Sequence, residues 1–170
     1  PLEPGEVLGC TAPCLDGVDS ALIICDGRFH VEAVGLANPG VTLYRYDPYT
    51  GVLSCEMYDS SAVLSTRKKL AESLNNAYTV GIILGVLGRQ GGIRATDELR
   101  KRLVAAGKRV MMIHIADITT PLLDAFSDVD VWVEVACPRL AIDWGTSYHK
   151  PLLTAFECAR WLGVEGERYR

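Results

Sequence analysis

Apolar residues fall along this chain in two rhythms. Some runs are short and apolar throughout. Residues 18–25 end in Ala21-Leu22-Ile23-Ile24-Cys25 before an Asp26-Gly27 turn, and 80–84, 109–115 and 129–135 are of the same kind. Runs of this length between turn residues read as strands, and strands apolar on both sides belong to parallel sheets. Residues 41–46 alternate β-prone side chains before Asp47-Pro48, 48–51 read as a turn, and 52–55 as a further short strand. The second rhythm is helical. It predicts helices over 29–37 (closed by Asn38-Pro39-Gly40), from Ser60 or Ser61 to about 76, from Thr96 or Asp97 to a stop at Gly107, and over 121–126. A last helix opens on the capping box Thr154-Ala155-Phe156-Glu157 and runs to about 162.

In the helix from residue 60, Val63, Leu70 and Leu74 share a face that Lys68, Lys69 and Glu72 avoid. Arg67 falls on that apolar face. The expectation for it is a packed stem with the charged head snorkelling to water. In the helix from residue 96, Leu99, Leu103 and Ala106 form the inner stripe. Strands alternating with helices give an α/β fold with mostly parallel sheets. A boundary near 76–79 divides the chain into two consecutive small α/β domains, 1–77 and 78–170. One internal echo exists: Val7-Leu8-Gly9-Cys10-Thr11-Ala12-Pro13 resembles Val133-Glu134-Val135-Ala136-Cys137-Pro138.

Composition narrows the function. The chain has 170 residues, 49% hydrophobic and 22% charged, which excludes disorder as the main theme. A formal net charge of −4 argues against a broad surface for nucleic acid or anionic lipid. The longest apolar run, 80–88, falls short of the roughly 18 residues that span a bilayer. The first residue is Pro1, so the chain is expected to be a piece of a longer one, with part of its working site elsewhere. Six cysteines stand at 10, 14, 25, 55, 137 and 158 without a CxxC pair. Wide spacing in a chain with a rich core predicts reduced thiols in the cytosol and no structural zinc.

Four segments stand where strands should end, the side on which open α/β sheets bind ligands. They are Gly9-Cys10-Thr11-Ala12-Pro13, Asp26-Gly27-Arg28-Phe29-His30, Gly88-Arg89-Gln90-Gly91-Gly92, and the stretch from Ala136 to Gly145. Glycines in the third let backbone N–H groups approach an anion, and Arg89 can grip a carboxylate or phosphate; a tight strand–helix turn with a surface arginine fits the same residues. Cys10 and Cys137 are candidate thiolate ligands of an iron–sulfur cluster. Cys10 with Cys14 is alternatively a CxxxC redox dithiol, and any of the six can be a small apolar filler, the expectation for Cys25, Cys55 and Cys158. His30 is a candidate ligand contact. His114 reads as a core histidine, Trp132 and Trp144 as core, and Asp143 as a local partner of Arg139.

Read together, seven segments are decisive. They are Gly5-Glu6-Val7-Leu8-Gly9-Cys10-Thr11, Asp26-Gly27-Arg28-Phe29-His30, Tyr44-Arg45-Tyr46-Asp47-Pro48-Tyr49, Leu87-Gly88-Arg89-Gln90-Gly91, Val135-Ala136-Cys137-Pro138-Arg139-Leu140, Ile142-Asp143-Trp144-Gly145 and Lys150-Pro151-Leu152-Leu153-Thr154. In this order they resemble the diphthamide-biosynthesis radical enzymes, and most of all the catalytic subunit of the eukaryotic members. The resemblance implies three related α/β domains, each giving one cysteine to a [4Fe–4S] cluster. Cys10 would be the ligand of the middle domain and Cys137 that of the C-terminal domain. The N-terminal domain and its cysteine would be absent, leaving this piece inactive alone. The implied reaction transfers the 3-amino-3-carboxypropyl group of S-adenosylmethionine, as a radical, to a histidine of translation elongation factor two. Implied partners are the second subunit of a heterodimer, the elongation factor and an electron-donor protein, with neither membrane nor nucleic acid. Asp26, Gly27, His30, Gly88, Arg89, Gln90, Gly91 and Asp143 would meet S-adenosylmethionine. Cys14 departs from the family pattern and is read as incidental. Two other readings stay open: the non-catalytic subunit of the same complex, and a thiol-redox or anion-binding α/β domain.

Overall fold

The short apolar runs become strands and the helical stripes become helices. The computed structural model describes residues 3–86 and 92–164. Their elements are β1 (Ser20–Ile24), α1 (Phe29–Ala37), β2 (Thr42–Asp47), β3 (Val52–Glu56), α2 (Ser60–Glu72), β4 (Thr79–Gly85), α3 (Ile93–Ala105), β5 (Arg109–Ile115), α4 (Thr120–Asp124), β6 (Val131–Val135), α5 (Pro138–Trp144), β7 (Leu152–Thr154) and α6 (Ala155–Trp161). Short 3₁₀ turns follow α2 and α5. Packing divides the chain into two units, one up to Leu64 and one from Ser65 onward. The division falls within α2, whereas residues 76–79 lead into β4.

The first unit is built on a three-stranded sheet in the order β1-β2-β3. β1 and β2 are parallel and joined through α1, while β3 returns antiparallel. That return turn is fixed by Asp47, whose carboxylate accepts the N–H groups of Tyr49 and Thr50 at 2.9 and 3.2 Å. Gly51 completes it at φ +68°, a conformation that favours glycine. Val31, Val34 and Ala37 of α1 pack with Ala21, Ile23 and Leu43 on one face of the sheet. The other face presents Leu22, Ile24, Tyr44, Tyr46 and Leu53 as exposed side chains. Cys55 stands beside Tyr44 on β3 and is exposed, so the expectation of a buried filler is corrected there. An outward-facing edge strand gives a small side chain nothing to fill.

Asn38, at the end of α1, is 4% exposed and ties down the segment that follows Cys10. Its Oδ1 accepts from Leu15 N at 2.7 Å, and its Nδ2 donates to the carbonyls of Pro13 and Val34, each at 2.9 Å. Asn38→Ala would strand a backbone N–H and a carbonyl in a partly buried place. A loss of about 2 kcal/mol is expected, read as a lower urea midpoint for the first unit; an unchanged midpoint would count against the tether.

The second unit carries a four-stranded, fully parallel sheet in the order β5-β4-β6-β7. β4 and β6 are central and buried along almost their whole length, which accounts for their unbroken apolar sequences. β5 is an edge strand and alternates. His114 points outward and is exposed, correcting its reading as a core residue. Trp132 is fully buried as expected, but Trp144, at the end of α5, is 62% exposed.

α3 begins at Ile93, three residues before the expected start, and this extends the inner stripe by one turn. Thr96, Leu99 and Leu103 face inward, and Ala106 is an exposed C-cap. Gly107 does stop the helix, at φ +80°, with its N–H on Val104 O and that of Lys108 on Leu103 O. The capping box of α6 is complete: Glu157 N donates to Thr154 Oγ1, and Thr154 N to Glu157 Oε2. No helix among the described residues is long and apolar enough to cross a membrane.

Candidate functional site

Cys10 occupies a two-residue turn closed by Leu8 and Thr11, which exchange backbone hydrogen bonds at 2.9 and 3.2 Å. The expected strand before Cys10 is therefore only this isolated bridge. The turn rests on an aromatic ring. A Cβ on Gly9 would lie 1.5 Å from Phe29 Cε1, so only glycine lets the turn approach the first residue of α1 this closely. Phe29 in turn meets His30 edge to face, ring centres 5.9 Å apart. The Cys10 thiol is free and half-buried, and Thr11 Oγ1 donates to its sulfur at 3.9 Å.

Asp26 and His30 line one cleft of about 510 Å³, together with Val7, Cys25, Pro48 and Tyr49. It opens where β1 and β2 end, as expected of a ligand site in an α/β sheet. Gly27 contributes a carbonyl that accepts from the Cys25 thiol at 3.0 Å. The cleft thus brings together two of the predicted contacts.

Cys137 sits between β6 and α5, at the N-cap position, with Pro138 as the first helical residue. Its thiol is free and half-buried, and its carbonyl accepts from Leu140 N. β4 and β6 crowd together at this end: a Cβ on Gly85 would lie 2.7 Å from that of Ala136. Arg139 Nε donates to both oxygens of Asp143 at 3.0 and 2.9 Å, as its sequence spacing suggested. Gly88, Arg89, Gln90 and Gly91 lie outside the described residues. Among the described residues, no three His, Cys, Asp or Glu side chains group so as to hold a metal ion.

A buried polar nest lies in the same unit, and the sequence reading missed it. Arg67 is 3% exposed, so it does not snorkel. Its Nε and Nη2 donate to the two carboxylate oxygens of Glu157 at 2.7 and 2.6 Å. Nη1 donates to Ala141 O and Nη2 to Leu152 O, both at 2.8 Å. Gly145 makes room, since a Cβ there would lie 2.4 Å from Arg67 Nη1. Glu134 on β6 faces the same charges. It is 1% exposed, and only the backbone N–H groups of Ala136 and Ala141 approach its carboxyl, outside good hydrogen-bond geometry. Burial, reinforced by Glu157, pushes its carboxyl up to about 8. The signals were an arginine on an apolar stripe and a glycine in Asp143-Trp144-Gly145.

Soft thiolate donors suit an iron–sulfur cluster, and Cys10 and Cys137 each put a half-buried thiol on a short turn. Cys158 is different: burial pushes its thiol up to about 12, as befits a filler. The family described as "Putative diphthamide synthesis protein" matches residues 1–170. The chain belongs to this diphthamide synthesis family.

Within the diphthamide synthesis family, the chain is 48% identical over 160 residues to 2-(3-amino-3-carboxypropyl)histidine synthase subunit 1 of Bos taurus. The identity to subunit 1 of Homo sapiens is also 48% over 160 residues, and to that of Yarrowia lipolytica 44% over 174. These alignments cover 94%, 94% and 99% of the chain but 36%, 36% and 40% of the relatives, so the chain spans well under half of their length. The crystal structure of Dph2 from Pyrococcus horikoshii with a 4Fe-4S cluster superposes with a TM-score of 0.77 at 26% identity, covering 96% of this chain and 47% of that one. The parallel four-stranded sheet and the small mixed sheet thus match part of the Dph2 fold.

Proposed function

We propose that this chain supplies Cys10 and Cys137 as two thiolate ligands of a [4Fe–4S] cluster in a diphthamide synthase. The synthase would transfer the 3-amino-3-carboxypropyl group of S-adenosylmethionine to a histidine of translation elongation factor two. The observation that carries this reading is that Cys10 in the first unit and Cys137 in the second are free, half-buried thiols on short turns, in a chain belonging to this family. The likeness to subunit 1 of the synthase and to a cluster-bearing Dph2 supports it.

The bound cluster would supply the electron that opens a carbon–sulfur bond of S-adenosylmethionine. The work of this chain is position. Gly9 seats the Cys10 turn on Phe29, and Asn38 holds the residues beyond it. Asp26 and His30 would bind polar groups of S-adenosylmethionine in the cleft, beside Gly27. Gly88, Arg89, Gln90 and Gly91 would suit the methionyl carboxylate or nearby polar groups of S-adenosylmethionine. Asp143 would act through its pairing with Arg139. The partners proposed are a second synthase subunit, the elongation factor and an electron-donor protein, all meeting in the cytosol.

The test is transfer. The complete subunit carrying this chain, with its partner and an anaerobically reconstituted cluster, should add one 3-amino-3-carboxypropyl group to a histidine of the factor. 5′-Methylthioadenosine should form alongside. A loaded, reduced complex that modifies nothing would contradict the assignment.

A further inference from the structure

We infer that Arg67 is a positioning residue for Cys137, holding the β6–α5 turn in the one arrangement that presents its sulfur. The inference rests on the proposed role of Cys137 as a ligand. It starts from the fork of hydrogen bonds that Arg67 makes from α2. One guanidinium reaches α5 at Ala141 O, β7 at Leu152 O and α6 at Glu157. α5 begins directly after Cys137 and is only seven residues long. A fixed point at Ala141 therefore sets the direction of the whole helix, and Leu140 N carries that constraint back to the Cys137 carbonyl.

The charge pair by itself is a poor reason for this arrangement. A buried ion pair is commonly replaced by apolar side chains of similar volume with no loss, because desolvation offsets the attraction. A planar fork with several simultaneous acceptors, by contrast, defines direction closely. The surroundings are fitted to the guanidinium: Gly145 leaves space that any Cβ would take, and Glu157 is held by the α6 capping box. Glu134, three residues before Cys137, faces the same nest from β6.

The test uses the complete subunit with its partner, and two variants. Arg67→Met combined with Glu157→Met removes the charges together and keeps most of the volume. Arg67→Lys keeps a charge but loses the fork. Three quantities are read: thermal midpoint, alkylation rate of Cys137 against Cys10 in cluster-free protein, and the electron paramagnetic resonance spectrum of the reduced cluster. The double variant should fold but melt below the parent, because it also strands the carbonyls of Ala141 and Leu152 and the Thr154 N–H. Its Cys137 alkylation should change about threefold or more while that of Cys10 stays constant, and the cluster spectrum should shift. Arg67→Lys should move the same readouts in the same direction by less, and it decides the matter if the double variant does not fold. Folded variants with parental Cys137 reactivity and spectrum would overturn the inference. A parent that binds no cluster would instead overturn the proposed function, while the alkylation comparison would still judge Arg67.

Discussion

Glu134→Gln is expected to flatten the pH dependence of stability of the second unit and to stabilise that unit above pH about 8. Glu134 is 1% exposed, no side chain pairs with its carboxyl, and burial pushes it from 4.5 up to about 8. The folded-state value lies above the unfolded one, so the native state holds the proton more tightly. The associated stability is complete below about pH 4.5 and is lost as pH rises through about 8. A shift of this size corresponds to on the order of 5 kcal/mol over that window, an upper figure because water entry on ionisation would reduce it. Glutamine keeps the shape without the ionisation. Urea unfolding followed by tryptophan fluorescence at pH about 5.5 and about 9 should show a falling midpoint for the parent and a level one for the variant. Parallel slopes would show that Glu134 does not titrate in this window.

Gly81→Ala is the second large effect. Gly81 sits in β4 directly opposite Trp132 of β6. A Cβ there would lie 2.3 Å from the indole ring, closer than real Cβ contacts come. The ring cannot retreat, because it is fully buried against Ile83, Leu123, Val129 and Leu152. Overpacking of this kind costs about 1–3 kcal/mol, and the rigidity of a central parallel strand puts the expected loss near the top of that range. Adding Trp132→Leu removes the opposing ring. The double variant should therefore lose less than the two single losses combined. Strict additivity would mean that Gly81 and Trp132 do not meet as described.

The parts of this fold that can be read from sequence are those set by neighbours along the chain. Continuous apolar runs marked β4 and β6 as strands of a parallel sheet, and Thr154 with Glu157 marked the start of α6, because each signal lies within a few residues. What stayed hidden depends on distant partners. β7 is only three residues long and draws its pairing from β6. α5 was read as part of a strand-end loop. Arg67 is bound by Glu157, 90 positions away, which no local pattern can announce. The α3 stripe keeps Leu99 and Leu103; the earlier start adds Thr96 to it, and the helix ends before Ala106.

The candidate site divides the same way. From spacing alone, Cys10 and Cys137 are hard to separate from the other four cysteines. The surrounding motifs distinguished them through resemblance, and the fold adds that both lie on turns that hold a half-buried thiol. Asp26 and His30 were legible as residues following a strand, and they do share a cleft. Neither the glycine under Phe29 nor the glycine against Arg67 could be understood until the opposing side chain was in view.

The most direct measurement is iron bound per complete subunit after anaerobic reconstitution, comparing Cys10→Ser and Cys137→Ser with Cys55→Ser as the control. Cys55 is an exposed thiol on β3, so its substitution matches the others in chemistry without touching the proposed ligands. The account predicts that the first two lose the cluster and that the control keeps parental iron and absorbance. Full iron content in both Cys10→Ser and Cys137→Ser would contradict it.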